Sequence, residues 1–140
     1  EFLLQRDLRL ACDQLRYFSY WVTPRGRPKR FTTRFFATAL PAGQQAHHDG
    51  KELTGSRWIT PASALQAADA GQMAMPPPTR ATLSDLARFC SVDEILDWAG
   101  MQQASGVSCI LPAVIGKGEG ARIVLPGSDD YPADHVGKHE

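Results

Sequence analysis

Near the N-terminus, the spacing of hydrophobic positions predicts one helix followed by two strands. Apolar residues three or four positions apart over residues 2–13 are typical of one face of a helix. Residues 15–22 are rich in aromatic side chains, which favour a strand. Two prolines and a glycine at residues 23–28 predict a loop. Residues 31–40, long and rich in phenylalanine and threonine, give the clearest strand prediction of the chain.

The central part of the chain combines a polar loop with a capped helix. Residues 42–53 predict the loop, and residues 56–60 predict a short strand. Thr60 is suited to cap a helix over residues 61–70, because a hydroxyl at the N-cap accepts a hydrogen bond from a free backbone amide. Proline, which follows Thr60, is favoured at the first helical position. We expect Gly71 to end this helix.

Two further helices are predicted after this point. The three prolines of Pro76–Pro78 predict a stiff extended link, and residues 79–89 predict a helix capped by its first threonine. Ser91 with Glu94 three residues later forms a capping box, which predicts the start of another helix. We expect Gly100 to end that helix.

The C-terminal part predicts a β-hairpin and a tail. Two apolar segments, residues 107–115 and 121–125, lie on either side of the glycine-rich turn at residues 116–120. Residues 128–140 are polar, and we expect them to form a loose tail.

Composition narrows the class of protein without identifying it. Hydrophobic residues make up 43% and charged residues 21% of the 140 residues, and the formal net charge is zero. A neutral chain has no overall field that attracts nucleic acid or a membrane. No apolar run approaches the roughly 18 residues of a spanning helix. The three cysteines are widely spaced without a Cys-x-x-Cys pair, which favours reduced, partly buried thiols in a cytoplasmic protein over a zinc site.

A series of short motifs gives the strongest indication of function. In chain order the motifs are Trp21-Val22-Thr23-Pro24, Arg30-Phe31-Thr32-Thr33-Arg34-Phe35-Phe36, Leu40-Pro41, Asp49, Glu52, Trp58, Pro61, Ala64-Leu65 and Pro76-Pro77-Pro78-Thr79. In this order and spacing the chain resembles the second half of a Nudix hydrolase, in the branch of the coenzyme A diphosphatases. The resemblance covers roughly the first 90 residues. Thr32 departs from the pattern, because the branch often has aspartate there.

The resemblance implies a fold, a reaction and a cofactor. The fold is a Nudix-type α/β/α sandwich with a mixed sheet, in the α/β (α+β) class. The reaction is hydrolysis of a diphosphate linkage in a nucleoside diphosphate derivative, coenzyme A and acyl-coenzyme A among them. The implied cofactor is Mg²⁺ or Mn²⁺, which offsets the charge of the diphosphate and activates water.

The metal-binding signature of that family, G-x5-E-x7-R-E-U-x-E-E-x-G-U with U an aliphatic residue, is absent from this sequence. No Arg-Glu pair exists, and no two of the five glutamates are adjacent; these glutamates are Glu1, Glu52, Glu94, Glu119 and Glu140. We therefore expect the main metal ligands to lie outside this chain, and we expect negligible turnover by this chain alone.

The simplest interpretation is that the chain is the C-terminal portion of a longer enzyme, with an incomplete sandwich. Residues 1–90 would then form the C-terminal portion of the Nudix domain. Residues 91–127 would add a helix and a β-hairpin, and residues 128–140 a loose tail. A processed start, a cloning scar or a degenerate homologue without metal chemistry are the alternatives.

Glu52 is the candidate catalytic and metal-binding residue. The resemblance implies this role, because some Nudix members use a glutamate in a comparable loop to bind metal or to orient the attacking water. His47, His48 and Asp49 precede it and would complete a metal-binding loop. Adjacent histidines point apart in an extended chain, so a solvated polar loop is the alternative for the whole segment.

The candidate substrate-binding residues lie in and around a basic segment. Five cations fall within residues 25–34, and no acidic residue lies between Asp13 and Asp49. Arginine binds phosphate oxygens bidentately, so this bias suits a phosphate-rich substrate. The proposed contacts are Arg25, Arg30, Arg34, Trp21 and Phe35. Strand alternation would direct Arg34 towards a cleft while Phe35 packs in the core. The alternative for the whole segment is a solvated basic loop beside ordinary core aromatic residues.

Three hypotheses about function follow. In the first, the chain is part of a metal-dependent diphosphatase whose partner is a nucleoside diphosphate-type small molecule, with neither membrane nor nucleic acid as a partner. In the second, it is a non-catalytic module that binds nucleotide, RNA or protein through the basic loop 25–34. In the third, its open core is closed by formation of a homodimer.

Overall fold

The computed structural model describes residues 1–52 and 55–135 and has an α+β fold, as the sequence predicts. The described residues contain four α-helices, a mixed sheet of three strands and a separate sheet of two strands. The elements are α1 Phe2–Gln5, β1 Arg16–Val22, β2 Thr32–Ala37, α2 Pro61–Asp69, α3 Pro77–Leu86, α4 Val92–Ser105, β3 Cys109–Ile110, β4 Ala113–Ile115 and β5 Arg122–Val124.

The chain forms two compact units, each built from two separate stretches of sequence. The helical unit consists of Glu1–Gln14 and Thr38–Trp98, and contains α1, α2, α3 and the start of α4. The sheet unit consists of Leu15–Ala37 and the chain from Ala99 onward, and contains all five strands. The domain limits predicted at residues 90 and 127 stay a prediction.

The first helix is a single turn rather than the helix predicted over residues 2–13. Asp7 has a φ of 49°, in the left-handed region that aspartate tolerates better than most residues. The amide of Leu8 bonds to the carbonyl of Leu3 at 2.8 Å, and the amide of Asp7 bonds to that of Leu4 at 3.3 Å. These two bonds form a Schellman motif, which ends a helix by satisfying its last carbonyls.

Strand β1 is the centre of the three-stranded sheet, whose order is β2-β1-β3. It pairs antiparallel with β2, from Arg16 opposite Ala37 to Val22 opposite Thr32, and parallel with β3. Both strands predicted near the N-terminus are therefore confirmed, the second one within shorter limits. The buried side chains of β1 are Phe18, Trp21 and Val22.

The apolar segment predicted as one strand over residues 107–115 is divided into two. Its first part, β3, joins the three-stranded sheet, and its last part, β4, pairs antiparallel with β5 as the predicted hairpin. Leu111 and Pro112 lie between them and are buried. Proline has no amide hydrogen to donate, so strand pairing is interrupted there.

Helix α2 confirms its predicted caps. The Thr60 side chain accepts a hydrogen bond from the amide of Ser63 at 3.2 Å, and Pro61 is the first helical residue. Gly71 has a φ of 70° and follows the helix. The strand predicted over residues 56–60 was wrong, because these residues pair with no other strand.

Helix α3 corrects the prediction of an extended proline link. Pro77 and Pro78 form its first turn. Backbone amides in the first turn of a helix make no hydrogen bond within the helix, so proline breaks none there. Thr79 therefore lies inside the helix and is not its cap.

Helix α4 confirms its predicted start and extends past its predicted end. The amide of Glu94 donates to Ser91 Oγ at 3.2 Å, while the Glu94 carboxylate accepts from the amide of Cys90 at 2.8 Å. Gly100 lies within the helix. Gly106, with a φ of 86°, follows the last helical residue.

The segment after Ser128 makes several contacts as far as His135. Arg122 forms an ion pair with Asp130 at 2.6 Å, and the Tyr131 hydroxyl donates to the carbonyl of Leu111 at 2.6 Å. The rest of the predicted loose tail, residues 136–140, lies outside the described residues. Of the helices in the described part of the chain, none is long and apolar enough to cross a membrane.

Candidate functional site

One face of the three-stranded sheet carries an exposed arginine supported by aromatic rings. Arg34 on β2 lies opposite Tyr20 on β1, and its guanidinium carbon is 4.9 Å from the centre of the Tyr20 ring. Tyr17 lies opposite Phe36, and their ring centres are 5.3 Å apart. We refer to Tyr17, Tyr20, Arg34 and Phe36 as the Arg34 face. The ring quadrupole attracts the cation, so Tyr20 orients the guanidinium without neutralising it.

A β-bulge brings the two tyrosines to the same face. Tyr17 and Tyr20 are three residues apart, and strict alternation would place them on opposite faces. The register shifts between Tyr17 and Ser19, so that Phe18 is the extra residue of the bulge. The amide of Tyr17 donates to the Gln103 side chain at 2.8 Å, which satisfies a backbone group at this irregular position.

Trp21 and Phe35 lie on the opposite face, towards the core of the sheet unit. Trp21 is only 4% exposed, and its indole nitrogen donates to Ser19 Oγ at 3.0 Å. Phe35 is half-buried, with its ring centre 6.5 Å from that of Phe18. The alternation predicted for Arg34 and Phe35 is therefore observed. A role of Trp21 or Phe35 in substrate binding stays a prediction, and their packing supports the strands that carry Arg34.

The basic loop before β2 is closed by Thr23. The amide of Thr23 donates to the carbonyl of Phe31 at 3.0 Å, and the amide of Phe31 donates to Thr23 Oγ1 at 2.9 Å. Arg30 Nε donates to the carbonyl of Thr23 at 3.1 Å. Arg30 thus holds the loop closed, although its residue is exposed.

Arg25 lies in the same loop and is half-buried. Its charge acts on Tyr131: burial raises the pKa of the Tyr131 hydroxyl, and the nearby Arg25 guanidinium opposes that shift. Its predicted contact with substrate stays a prediction.

Glu52 is exposed and lies in the helical unit, in the predicted polar loop. The preceding side chains support a turn: the amide of Gly50 donates to His48 Nδ1 at 3.1 Å, and the amide of Lys51 donates to Asp49 Oδ1 at 3.1 Å. The amide of Glu52 donates to Asp49 Oδ2 at 3.5 Å. His48 and Asp49 therefore have structural partners, which fits the polar-loop alternative.

Among the residues that the structure describes, no cluster of side chains forms a site for Mg²⁺ or Mn²⁺. Within residues 1–52 and 55–135, no three His, Cys, Asp or Glu side chains are arranged to hold a metal ion. A hard divalent cation needs several oxygen ligands at one point. No reaction step through a metal is therefore derived for this chain.

The cysteines are free thiols in two environments. Cys12 and Cys90 are exposed, which corrects the expectation that all three are partly buried. Cys109 is half-buried on β3, and burial raises the pKa of its thiol. A raised pKa lowers the thiolate fraction at neutral pH, so Cys109 is a poor nucleophile.

Sequence reasoning missed the aromatic support of Arg34 and an open groove in the helical unit. The groove has a volume of about 490 Å³ and lies between residues 57–59 and helix α2. Trp58 lines it and is 78% exposed. The aromatic positions are visible in the sequence, but neither a bulge nor the exposure of a tryptophan follows from spacing.

Comparison with known proteins identifies three acyl-coenzyme A diphosphatases among the relatives of this chain. The acyl-coenzyme A diphosphatase NUDT19 of Xenopus laevis is 32% identical over 124 residues, which cover 86% of this chain and 33% of the relative. The human protein of the same name is 29% identical over 122 residues (86% and 32%), and that of Gallus gallus is 26% identical over 125 residues (86% and 33%). No protein-family model matches the chain. The search of solved structures gave no significant match.

The chain spans about one third of the length of these curated relatives. The matched region nevertheless covers most of the chain. By sequence, the chain resembles the acyl-coenzyme A diphosphatases of the Nudix family, as its motifs predict.

Proposed function

We propose that this chain is the substrate-binding part of a metal-dependent Nudix hydrolase that cleaves the diphosphate linkage of coenzyme A or acyl-coenzyme A. The relatives named above support the reaction class and the substrate class. The metal ions, Mg²⁺ or Mn²⁺, would be held mainly by residues outside this sequence. The partner is a small molecule, and we place the protein in the cytoplasm.

The observation that carries the proposal is the geometry of Arg34. Its guanidinium lies over Tyr20 and its residue is exposed, so the hydrogen-bonding fork is held in position yet remains accessible. A guanidinium fork matches two oxygens of a phosphate group. We propose that Arg34 binds the diphosphate and stabilises the negative charge that develops on it during hydrolysis.

The other predicted residues have supporting roles in this proposal. Arg30 closes the loop that precedes β2, and Arg25 adds positive charge to the same unit. Trp21 and Phe35 fix the strands from the core side. Glu52 is proposed as a carboxylate that orients water or contributes to metal binding.

The test compares variants of Arg34 in the protein encoded by the complete gene. Arg34→Ala should lower kcat/KM for coenzyme A by about 10- to 150-fold, since a hydrogen bond to a charged group contributes roughly 1.5–3 kcal/mol. Arg34→Lys should recover only part of the loss, because lysine keeps the charge without the fork. The matched control is Arg9→Ala, which removes an exposed arginine of the helical unit and should have no effect.

Two results would contradict the proposal. One is a kcat/KM of Arg34→Ala equal to that of Arg9→Ala. The other is robust hydrolysis of coenzyme A by the 140-residue chain alone in the presence of Mg²⁺, which would show that its own residues suffice for the chemistry. Urea unfolding of each variant shows whether a loss of activity reflects a loss of fold.

A non-catalytic binding module is the second candidate function. Phe31 is 65% exposed and lies beside Arg30, a combination that suits stacking of a base next to a phosphate contact. Binding of single-stranded RNA through the loop 25–34 would weaken steeply as salt is raised, because the cations release condensed counterions from the RNA. Absence of such binding at low salt would remove this alternative.

A further inference from the structure

The β1–β2 hairpin loop, residues 23–31, carries an exposed excess of positive charge. It contains four cations and no acidic residue. Three of these cations are exposed, namely Arg27, Lys29 and Arg30. The chain as a whole is neutral, so the excess is local to the loop. A local charge of this kind attracts an anionic surface over about 10 Å in 0.1 M salt.

The exposed cations of the loop are not neutralised from within the described part of the chain. Arg27 and Lys29 make no hydrogen bond or ion pair with any residue that the structure describes. Arg30 donates through Nε to the uncharged carbonyl of Thr23, which leaves its positive charge uncompensated. The loop therefore offers its charge to a partner outside these residues.

Phe31 adds an exposed apolar side chain to the same loop. Strand alternation places it on the side of Phe35, which packs towards the core with its ring centre 6.5 Å from that of Phe18. Phe31 is nevertheless 65% exposed, so the core of the sheet unit ends before it. Transfer of an exposed phenylalanine ring from water to an apolar phase is favourable.

Hydrogen bonds and prolines hold the loop in shape before any partner binds. The amide of Thr23 donates to the carbonyl of Phe31 at 3.0 Å, and the amide of Phe31 donates to Thr23 Oγ1 at 2.9 Å. Pro24 and Pro28 restrict the backbone between these residues. An ordered loop loses little conformational entropy on binding. The cations and the phenylalanine ring are therefore presented together.

The number of aromatic rings distinguishes a lipid surface from a nucleic acid as the partner. Proteins that bind single strands stack successive bases on several aromatic side chains. Residues 23–31 contain one aromatic ring, that of Phe31. A bilayer interface needs less: one apolar side chain enters between the headgroups, while nearby cations stay at the level of the anionic lipids.

We propose that the β1–β2 hairpin loop docks on an anionic lipid bilayer, with Phe31 inserted between the headgroups and with Arg27 and Lys29 against their phosphate and carboxylate groups. Zero net charge speaks against a membrane partner for the chain as a whole, but this attraction arises from the loop alone. The proposal concerns a surface contact and does not rest on the diphosphatase reaction.

The experiment measures co-sedimentation of the 140-residue chain with lipid vesicles, without divalent metal or nucleotide. One set of vesicles contains phosphatidylcholine alone, and the other contains phosphatidylcholine with phosphatidylserine. We expect binding to the anionic vesicles only. Binding should weaken as salt is raised, because screening shortens the range of the attraction.

Variants of the loop separate the contributions of charge and insertion. Arg27→Gln combined with Lys29→Gln should lower the partition coefficient about 25-fold, since each cation at an anionic surface contributes about fivefold. Phe31→Ser should lower it about three- to tenfold, as expected for burial of about half of the ring. Phe31→Trp should bind, and its tryptophan emission should shift to shorter wavelength on binding, which reports entry of the ring into the bilayer.

The matched control removes the same kinds of side chain from the helical unit. Leu10 is 70% exposed and follows an exposed arginine, Arg9. Arg9→Gln combined with Leu10→Ser should sediment with anionic vesicles as the wild type does. The protein encoded by the complete gene should show the same order of affinities among these variants. Circular dichroism shows whether each variant keeps its fold.

Four outcomes would overturn the proposal. They are equal sedimentation with both sets of vesicles, an unchanged partition coefficient for Phe31→Ser, binding of a single-stranded oligouridine without binding of anionic vesicles, and loop variants without effect in the protein encoded by the complete gene. None of these outcomes involves hydrolysis. A failure here therefore leaves the proposed function in place, and a failure of the Arg34 test leaves this docking surface in place.

Discussion

The hydroxyl of Tyr131 joins the C-terminal segment to the interior of the sheet unit, and its removal is a sharp test of that connection. It donates to the backbone carbonyl of Leu111 at 2.6 Å. Leu111 is only 1% exposed and lies between β3 and β4. Tyr131→Phe removes this hydrogen bond and retains the ring, whose centre is 6.0 Å from that of His135.

The expected loss follows from these contacts. One hydrogen bond contributes about 1 kcal/mol to the free energy of unfolding. A buried carbonyl left without a partner adds its own cost of desolvation, which brings the total to roughly 1–3 kcal/mol. Loss of 1 kcal/mol lowers the Tm of a chain of this size by about 4 °C.

Urea unfolding monitored by circular dichroism measures the effect. Tyr17→Phe is the matched control, because Tyr17 is also half-buried and stacks on Phe36, while its hydroxyl makes no hydrogen bond within the described residues. We expect the control to change the free energy of unfolding by less than about 0.5 kcal/mol, as is usual for substitutions that break no buried contact.

The pH dependence provides a second readout. Burial raises the pKa of Tyr131 in the folded chain, and Arg25 opposes this shift. The unfolded chain therefore ionises first, near the ordinary tyrosine pKa of about 10, and stability falls as pH rises above that value. Tyr131→Phe should remove this part of the alkaline loss. A variant as stable as Tyr17→Phe at neutral pH, or one with the wild-type alkaline profile, would refute the reasoning.

Two further predictions concern helix ends. Gly71→Ala should destabilise the chain by about 1 kcal/mol, because a φ of 70° strains any residue with a Cβ. Gly100→Ala in the interior of α4 should be neutral or stabilising by up to about 1 kcal/mol, since the nearest neighbour of the added Cβ would be Arg16 Cδ at 3.9 Å. The Tm values of the two variants should therefore move in opposite directions, and equal shifts would contradict this. Ser91→Ala should cost about 1 kcal/mol by removing the cap of α4, measured by urea unfolding, whereas an unchanged midpoint would show that the Glu94 carboxylate is sufficient.

Local patterns predicted most of the elements but not their limits. Thr60, Gly71 and Ser91 carry out the capping roles predicted for them, because capping depends on residues close in sequence. The limits that were wrong depend on backbone geometry that spacing does not encode. Asp7 adopts a positive φ and ends α1 early, and the prolines before Thr79 begin α3 where an extended link was predicted.

The candidate site was predictable to the level of strand faces. Alternation placed Arg34 and Phe35 on opposite sides, as observed. It did not place Tyr17 beside Tyr20 on the Arg34 face, because the bulge at Phe18 changes the register within β1. The groove at Trp58 was also missed, since the exposure of an aromatic side chain depends on which distant segments pack against it.

The parallel pairing of β1 with β3 has a consequence for the order of folding. Tyr20 pairs with Cys109, so these strands are separated by 89 positions, whereas β1 and β2 form a local hairpin. Closing so long a loop costs roughly 4 kcal/mol of chain entropy, far more than the hairpin turn requires. During synthesis at about 5–20 residues per second, β3 would leave the ribosome several seconds after β1. Until β3 is synthesised, the edge of β1 that pairs with β3 stays unpaired. A chaperone that shields this edge would therefore raise the yield of native protein.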